Sequence, residues 1–150
     1  MEQYRSKIEA FGSVMEKMGF TPVASRVFVY LLLSKEEDST FEAMVDYFGV
    51  SKSAVSNALK MLEATQTIES KTVGGSRKRY FRVCFDLWVN KDILTERFIV
   101  TSEMLDEIFQ LRNSEDETSL KIKHISLLYK MMIFEFPIII ERWKKTIENS

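Results

Sequence analysis

The chain has one cysteine, one histidine, two prolines and five glycines among its 150 residues, and each scarcity excludes something. A single thiol, Cys84, rules out an intrachain disulfide and fits a reducing compartment. One cysteine and one histidine cannot supply the ligand set of a structural zinc site. His124 sits in an apolar, helical stretch, where a structural role is expected. The few glycines form neither a phosphate-cradling loop nor a dinucleotide fingerprint. Carboxylates are numerous, but none stand in a paired setting suited to acid–base work. No enzyme, cofactor or metal centre is therefore expected. Long apolar runs are missing too. Ile125 to Ile140 is broken by Lys130, Glu135 and Pro137 and falls short of the roughly 20 residues a membrane span needs. Met1 to Arg5 does not open a signal peptide. A cytoplasmic protein without a membrane partner is expected.

What is present is a globular composition, 45% hydrophobic and 29% charged, with an uneven distribution of charge. The overall net charge is -1. Ser51 to Arg82 holds seven basic residues (Lys52, Lys60, Lys71, Arg77, Lys78, Arg79, Arg82) against Glu63 and Glu69, a net of +5. Glu103 to Glu117 holds six acidic residues against Arg112, a net of -5. A local basic region on a near-neutral chain points to one polyanion site rather than a generally adhesive surface.

That region begins with a helix of two opposed faces. Val55, Ala58, Leu59 and Leu62 recur at helical spacing and form an apolar stripe. Lys52, Ser53, Ser56, Asn57 and Lys60 fall opposite, with Ser51 placed to cap the first turn. This outward face has no acidic residue before Glu63. Lysines suit phosphates, and short Ser and Asn side chains suit base edges in a major groove.

The flanking segments supply a frame. Tyr4, Ile8, Phe11, Met15 and Met18 mark an amphipathic helix ended by Gly19. Thr21-Pro22 opens a second helix, with Val23, Val27, Phe28, Leu31 and Leu32 facing inward. Lys35 to Asp38 reads as a polar loop. Ser39 or Thr40 caps a third helix with Phe41, Met44, Val45 and Phe48 inward; with Ser39 as cap, Glu42 holds the reciprocal capping-box position. Gly49 ends it, so Phe41–Phe48 and Ser51–Ala64 make a helix-turn-helix. Thr67–Val73 and Lys78–Phe85 are β-branched and aromatic, joined by Gly74-Gly75, and form a hairpin with Arg77, Lys78 and Arg79 at its tip. Charged residues also protect hairpin edges from aggregation. Directly after a basic helix, however, they complete a winged helix whose wing reaches phosphates or a minor groove.

The helix-turn-helix, the run Ser51-Lys52-Ser53-Ala54-Val55-Ser56 and the wing Gly74-Gly75-Ser76-Arg77-Lys78 resemble the MarR superfamily, with a nearer likeness to its GbsR-type branch. Gly19-Phe20-Thr21-Pro22 before the second helix carries part of that likeness. It covers roughly Ile8 to Val83; beyond that the match is mainly in being helical. The wing lacks the Asp-x-Arg pattern of many MarR proteins and has Ser76-Arg77-Lys78 instead. The resemblance implies a homodimeric transcriptional regulator of pseudo-palindromic operators, often with a small-molecule effector, in some GbsR-like members a quaternary ammonium compound such as choline.

The remaining residues read as helix. Asp86 or Asn90 can cap a segment reaching about Arg112, with Leu94, Phe98, Thr101, Leu105, Ile108 and Arg112 along a seam and Phe109 beside it. Asn113 to Glu117 is an acidic break. Thr118 or Ser119 then starts a last helix with Ile122, Ile125, Leu128, Met132, Ile139, Trp143 and Ile147 inward and a kink or restart at Pro137. The fold class expected is mainly α with a small β-hairpin wing: a winged helix-turn-helix followed by long dimerisation helices. Residues 1–20 form a helix contributing to dimerisation, 21–85 the DNA-binding domain, and 86–150 the helical dimerisation region. Two apolar-faced helices need a partner surface, and a second copy is the economical one.

The expected function is a sequence-specific DNA-binding regulator, with repression the expected sense. Ser51, Lys52, Ser53, Ser56, Asn57, Lys60, Arg77, Lys78 and Arg79 are the candidate contacts to double-stranded DNA. Phe81, Phe85, Trp88, Tyr129 and Trp143 are candidates for an effector site, since aromatic faces attract cations; core and dimer packing is the simpler account of the same rings. Cys84, among apolar neighbours, is expected to be a buried, inert thiol. The competing class is a winged-helix protein-interaction module that does not bind DNA.

Overall fold

The computed structural model describes residues 1–34, 39–72 and 78–149. The expected loop Lys35–Asp38 and the hairpin tip Val73–Arg77 lie outside the described residues. The described chain is mostly helical, with a small three-stranded antiparallel sheet, and has the fold of a winged helix. It divides into two compact units, Met1–Phe85 and Asp86–Ser150.

The first unit holds helix α1 (Arg5–Lys17), α2 (Pro22–Leu33), the two-residue strand β1 (Ser39–Thr40), α3 (Phe41–Phe48), α4 (Lys52–Ala64), β2 (Ile68–Thr72) and β3 (Arg79–Val83). Local chemistry sets the boundaries. The Thr21 side chain accepts from the Ala24 amide, and Pro22 occupies the first turn, where its absent N–H costs nothing. Gly49 ends α3 in the left-handed region at φ 63°, a conformation open to glycine without a Cβ penalty. The core lies between α2, α4 and the sheet, with Val27, Phe28, Met44, Val55, Leu62 and Phe81 almost wholly enclosed. Burying one such side chain contributes about 1.5–3 kcal/mol.

One open choice is resolved here and three expectations change. Thr40 rather than Ser39 caps α3, its hydroxyl accepting from Ala43 at 3.2 Å. Ser39 and Thr40 instead form a strand that pairs with Phe81 and Tyr80, so the sheet order is β1-β3-β2 and the wing is more than a hairpin. Leu32 is exposed, because it falls on the outer side of α2. In α1 Ile8 is buried in the core and Met15 packs against it; Phe11 and Met18 of the expected stripe, with Val14, remain exposed in the single chain. Elsewhere on α1, Gly12 is buried against Arg26, whose guanidinium joins Glu9 and Glu16, each at 2.6 Å, and so ties α1 to α2.

The second unit holds the short α5 (Asp86–Val89), α6 (Lys91–Arg112) and α7 (Glu117–Glu148). Asn90 caps α6 by accepting from Asp92 and Ile93. Asn113, at φ 43°, ends it. Asp116 caps α7, so that helix begins before Thr118. The backbone N–H of Ser119 and then the Ser114 hydroxyl hold the Asp116 carboxyl down to about 2. Pro137 neither stops nor restarts α7, which runs on to Glu148.

Helices α6 and α7 pack antiparallel along a seam that mixes buried serines with isoleucines and aromatic rings, a mixture the apolar pattern did not reveal. Ser102, Ser119 and Ser126 are buried there. The Ser126 hydroxyl donates to Asp106, which also accepts from Lys130, and Arg112 donates to Ser119. Short side chains let the helix backbones approach closely. On α7 the inward positions are Ser119, Ile122, Ser126, Tyr129, Ile133, Phe136 and Ile140, at alternating steps of three and four. The expected set is therefore corrected. Ile122 faces in, but Ile125, Leu128, Met132, Ile139, Trp143 and Ile147 are exposed in the single chain, as is Ile108 on α6. A third stripe, Leu127, Met131, Phe134 and Ile138, faces away from the seam and is also exposed. Among the described residues, no helix is long and apolar enough to cross a membrane.

Candidate nucleic-acid interface

Helix α4 is fixed by its inner face and presents its outer one. Val55, Ala58, Leu59 and Leu62 are buried, while Lys52, Ser53, Asn57 and Lys60 are exposed and Ser56 is half-buried. Ser51 has a structural duty: its hydroxyl accepts from the Ala54 amide at 3.2 Å and meets the Ser53 hydroxyl at 3.0 Å. The Lys52, Asn57 and Lys60 side chains project from the helix, with Glu63 in its last turn the one carboxylate of α4. That arrangement offers two cations and short hydrogen-bonding groups on one rigid rod, set by the Gly49 turn against α3.

The wing lies beside α4. Strands β2 and β3 pair from Ile68 with Val83 to Thr72 with Arg79. Lys78 is exposed at the start of the described part of the second wing strand. Arg77 lies outside the described residues. Arg79 is exposed, and part of its guanidinium is engaged within the head. It donates to Glu63 Oε1 and to Ser70 Oγ, each at 2.5 Å, and lies over the Phe81 ring at 5.0 Å. Glu63 also accepts from the Ser70 hydroxyl at 2.6 Å. Arg82 pairs with Glu69, its partner across the strands. Both acidic residues of the basic stretch are thus taken up by arginines of β3. Between α4 and the wing root, a cleft of about 400 Å³ is lined by Ser56, Lys60, Glu63, Lys78 and Arg79, with Phe41 and Glu42 on its α3 side.

Glu63 and Ser70 were not singled out from sequence. A signal for Glu63 existed, since Ser56, Lys60 and Glu63 follow at steps of four and three along one face of α4. Its partner lies 16 residues on, which no local pattern reaches.

The aromatic candidates belong to both units. Phe81, 1% exposed, belongs to the core of the first unit, facing inward from the central strand, and is not available to a ligand. Phe85 and Trp88 are exposed, as is Trp143 on α7. Tyr129 packs edge to face with Phe98 at 5.9 Å, and Phe98 meets Phe136 at 5.5 Å. These three rings are the aromatic group of the α6–α7 seam. Cys84 is half-buried rather than enclosed. Among the described residues, no group of His, Cys, Asp and Glu side chains is placed to hold a metal ion.

No protein-family model matches the chain, and no curated protein does. Solved structures do. One described as a transcriptional regulator superimposes with a TM-score of 0.80 at 19% identity, covering 95% of this chain and 99% of that one. Two others superimpose at a TM-score of 0.45. They are the transcriptional regulator Tm0710 from Thermotoga maritima, at 17% identity over 91% of this chain and 93% of that one, and a point mutant of MepR from S. aureus, at 14% over 87% and 94%. The first shows that both units, end to end, follow a fold already seen in a regulator.

Proposed function

We propose that the chain is a homodimeric, sequence-specific DNA-binding transcriptional regulator of the MarR superfamily, nearest its GbsR-type branch, acting as a repressor from the cytoplasm. The observation that carries the reading is the outward face of α4. Lys52, Ser53, Ser56, Asn57 and Lys60 stand together on a helix whose inner face is locked in the core. Lysines at its ends meet phosphates, and Asn57 and Ser56 read base edges in the major groove. Lys78, with Arg77, meets the backbone or a minor groove. The 0.80 superposition on a regulator supports the same reading.

The dimer is supported by α7. With the seam on one side and two exposed apolar stripes on the others, the helix is apolar around most of its circumference. A helix of that kind is buried in the functional state. A second copy supplies the cover, and two-fold symmetry then presents two reading heads about one DNA turn (~34 Å) apart. Effector control rests on the resemblance alone. Thermal stabilisation by choline- or betaine-like compounds is its test, and a flat response counts against that class.

The deciding experiment is selection of bound duplexes from a random pool. A pseudo-palindrome with half-sites one turn apart is the expected result. Recovery of no preferred sequence, with no salt-sensitive binding to duplex DNA, would favour the protein-interaction module instead.

A further inference from the structure

We infer that Glu63 is a positioning residue that holds the wing against the recognition helix through Arg79, and that Arg79 is therefore a strut and not a phosphate contact. The inference rests on the DNA-binding reading of the head.

The geometry carries it. Glu63 stands on the last turn of α4, one helical step beyond the cleft residues Ser56 and Lys60. Arg79 is the first residue of β3 and Ser70 the middle residue of β2. The three side chains close a triangle: Ser70 donates to Glu63 at 2.6 Å, and Arg79 donates to Glu63 and to Ser70 at 2.5 Å. The triangle bridges α4 to both wing strands at once. Phe81, buried beneath the guanidinium at 5.0 Å, gives Arg79 a rigid floor. The side chain is 52% exposed, but its Nη2 is committed to Glu63 and Ser70, and Glu63 matches its charge. Turning that charge to a phosphate would forfeit the Glu63 pair. The basic tip is then left to Arg77 and Lys78, and the wing's approach angle is set by a pair within the protein. A wing held in its bound pose before DNA arrives loses less freedom on binding.

The position of the pair also explains why it is polar. Glu63 is the one carboxylate on the outer side of α4, where it would repel phosphates if left alone. Paired to Arg79, it adds no net field to the reading face and still fixes the wing.

The test measures binding of a selected duplex against salt concentration for the wild type, for Arg79→Gln and for the exchanged pair Glu63→Arg with Arg79→Glu. For Arg79→Gln, affinity is expected to fall about fivefold, the scale of one exposed ion pair, with the salt slope unchanged. The exchanged pair keeps the net charge and the ion pair, and is expected to bind within about twofold of the wild type. A salt slope reduced by about 0.9 in Arg79→Gln would mean that Arg79 had been neutralising a phosphate, and would overturn the strut. An exchanged pair as weak as Arg79→Gln would overturn it as well, and that arm holds even where the single variant folds poorly. Wild-type protein that binds no duplex overturns the DNA-binding reading itself, an outcome separate from either of these.

Discussion

The head and the helical hairpin solve burial in opposite ways. In Met1–Phe85 the large side chains point inward, and Phe28, Met44, Leu62 and Phe81 have almost no solvent exposure. In the hairpin α6–α7 the fully enclosed side chains are Ser119 and Ser126, joined by Ser102 and Ile140, while Leu127, Met131, Phe134 and Ile138 face out. The head has a core of its own. The hairpin has a mixed seam, serines among isoleucines and aromatic rings, and carries further apolar surface outside. The difference separates a unit with an enclosed apolar core from one whose seam is mixed and whose other apolar side chains stay exposed in the single chain.

The contrast can be broken by mutation. The largest effect is expected for Phe28→Ala, which should cost about 3–5 kcal/mol and abolish the cooperative melt of the head. Met131→Glu should leave that melt in place and convert the proposed dimer to a monomer, read by sedimentation. A dimer that survives a charge on this stripe would move the interface to the Ile125–Leu128–Met132 stripe. Smaller again is the joint change Lys52→Ala with Lys60→Ala. Each lysine that neutralises a phosphate should, when removed, flatten the salt dependence of DNA binding by about 0.9, without altering either melt.

The smallest effect concerns acid. Asp116 is held down to about 2 by the Ser119 amide and the Ser114 hydroxyl, below an ordinary value of 3.8. A carboxyl depressed on folding stabilises above its unfolded value, and the gain is lost as pH falls through the folded one. The α6–α7 turn should therefore loosen between about pH 4 and pH 2, seen as faster amide exchange at Ser119 and Leu120. Asp116→Asn should remove that dependence in the hairpin and leave the head unchanged.

The two units were also unequally legible. In the head, local chemistry spoke clearly: Thr21 with Pro22, Gly49, Ser51 as cap, and the single apolar stripe of α4 all sit where spacing placed them. A one-sided helix gives one answer to a periodicity argument. Helix α7 gives several, since three stripes on it are apolar, and spacing alone favoured Ile125, Leu128 and Met132 over the seam of Ser119, Ser126 and Tyr129. Serines at a packed interface leave no apolar signal. Long-range pairing was the other blind spot. Ser39–Thr40 is too short to read as a strand without its partner in β3. The contacts of Arg79 with Glu63 and Ser70 are equally beyond the reach of a local pattern.

Thr40 has one more consequence. Its backbone pairs with Tyr80 in the sheet, and its hydroxyl caps the first turn of α3. One residue thus belongs to two elements whose sequence neighbourhoods lie about 40 positions apart. The start of α3 and the central wing strand are thereby joined through one residue, and a chain cut before Tyr80 would leave the Thr40 backbone without its strand partner.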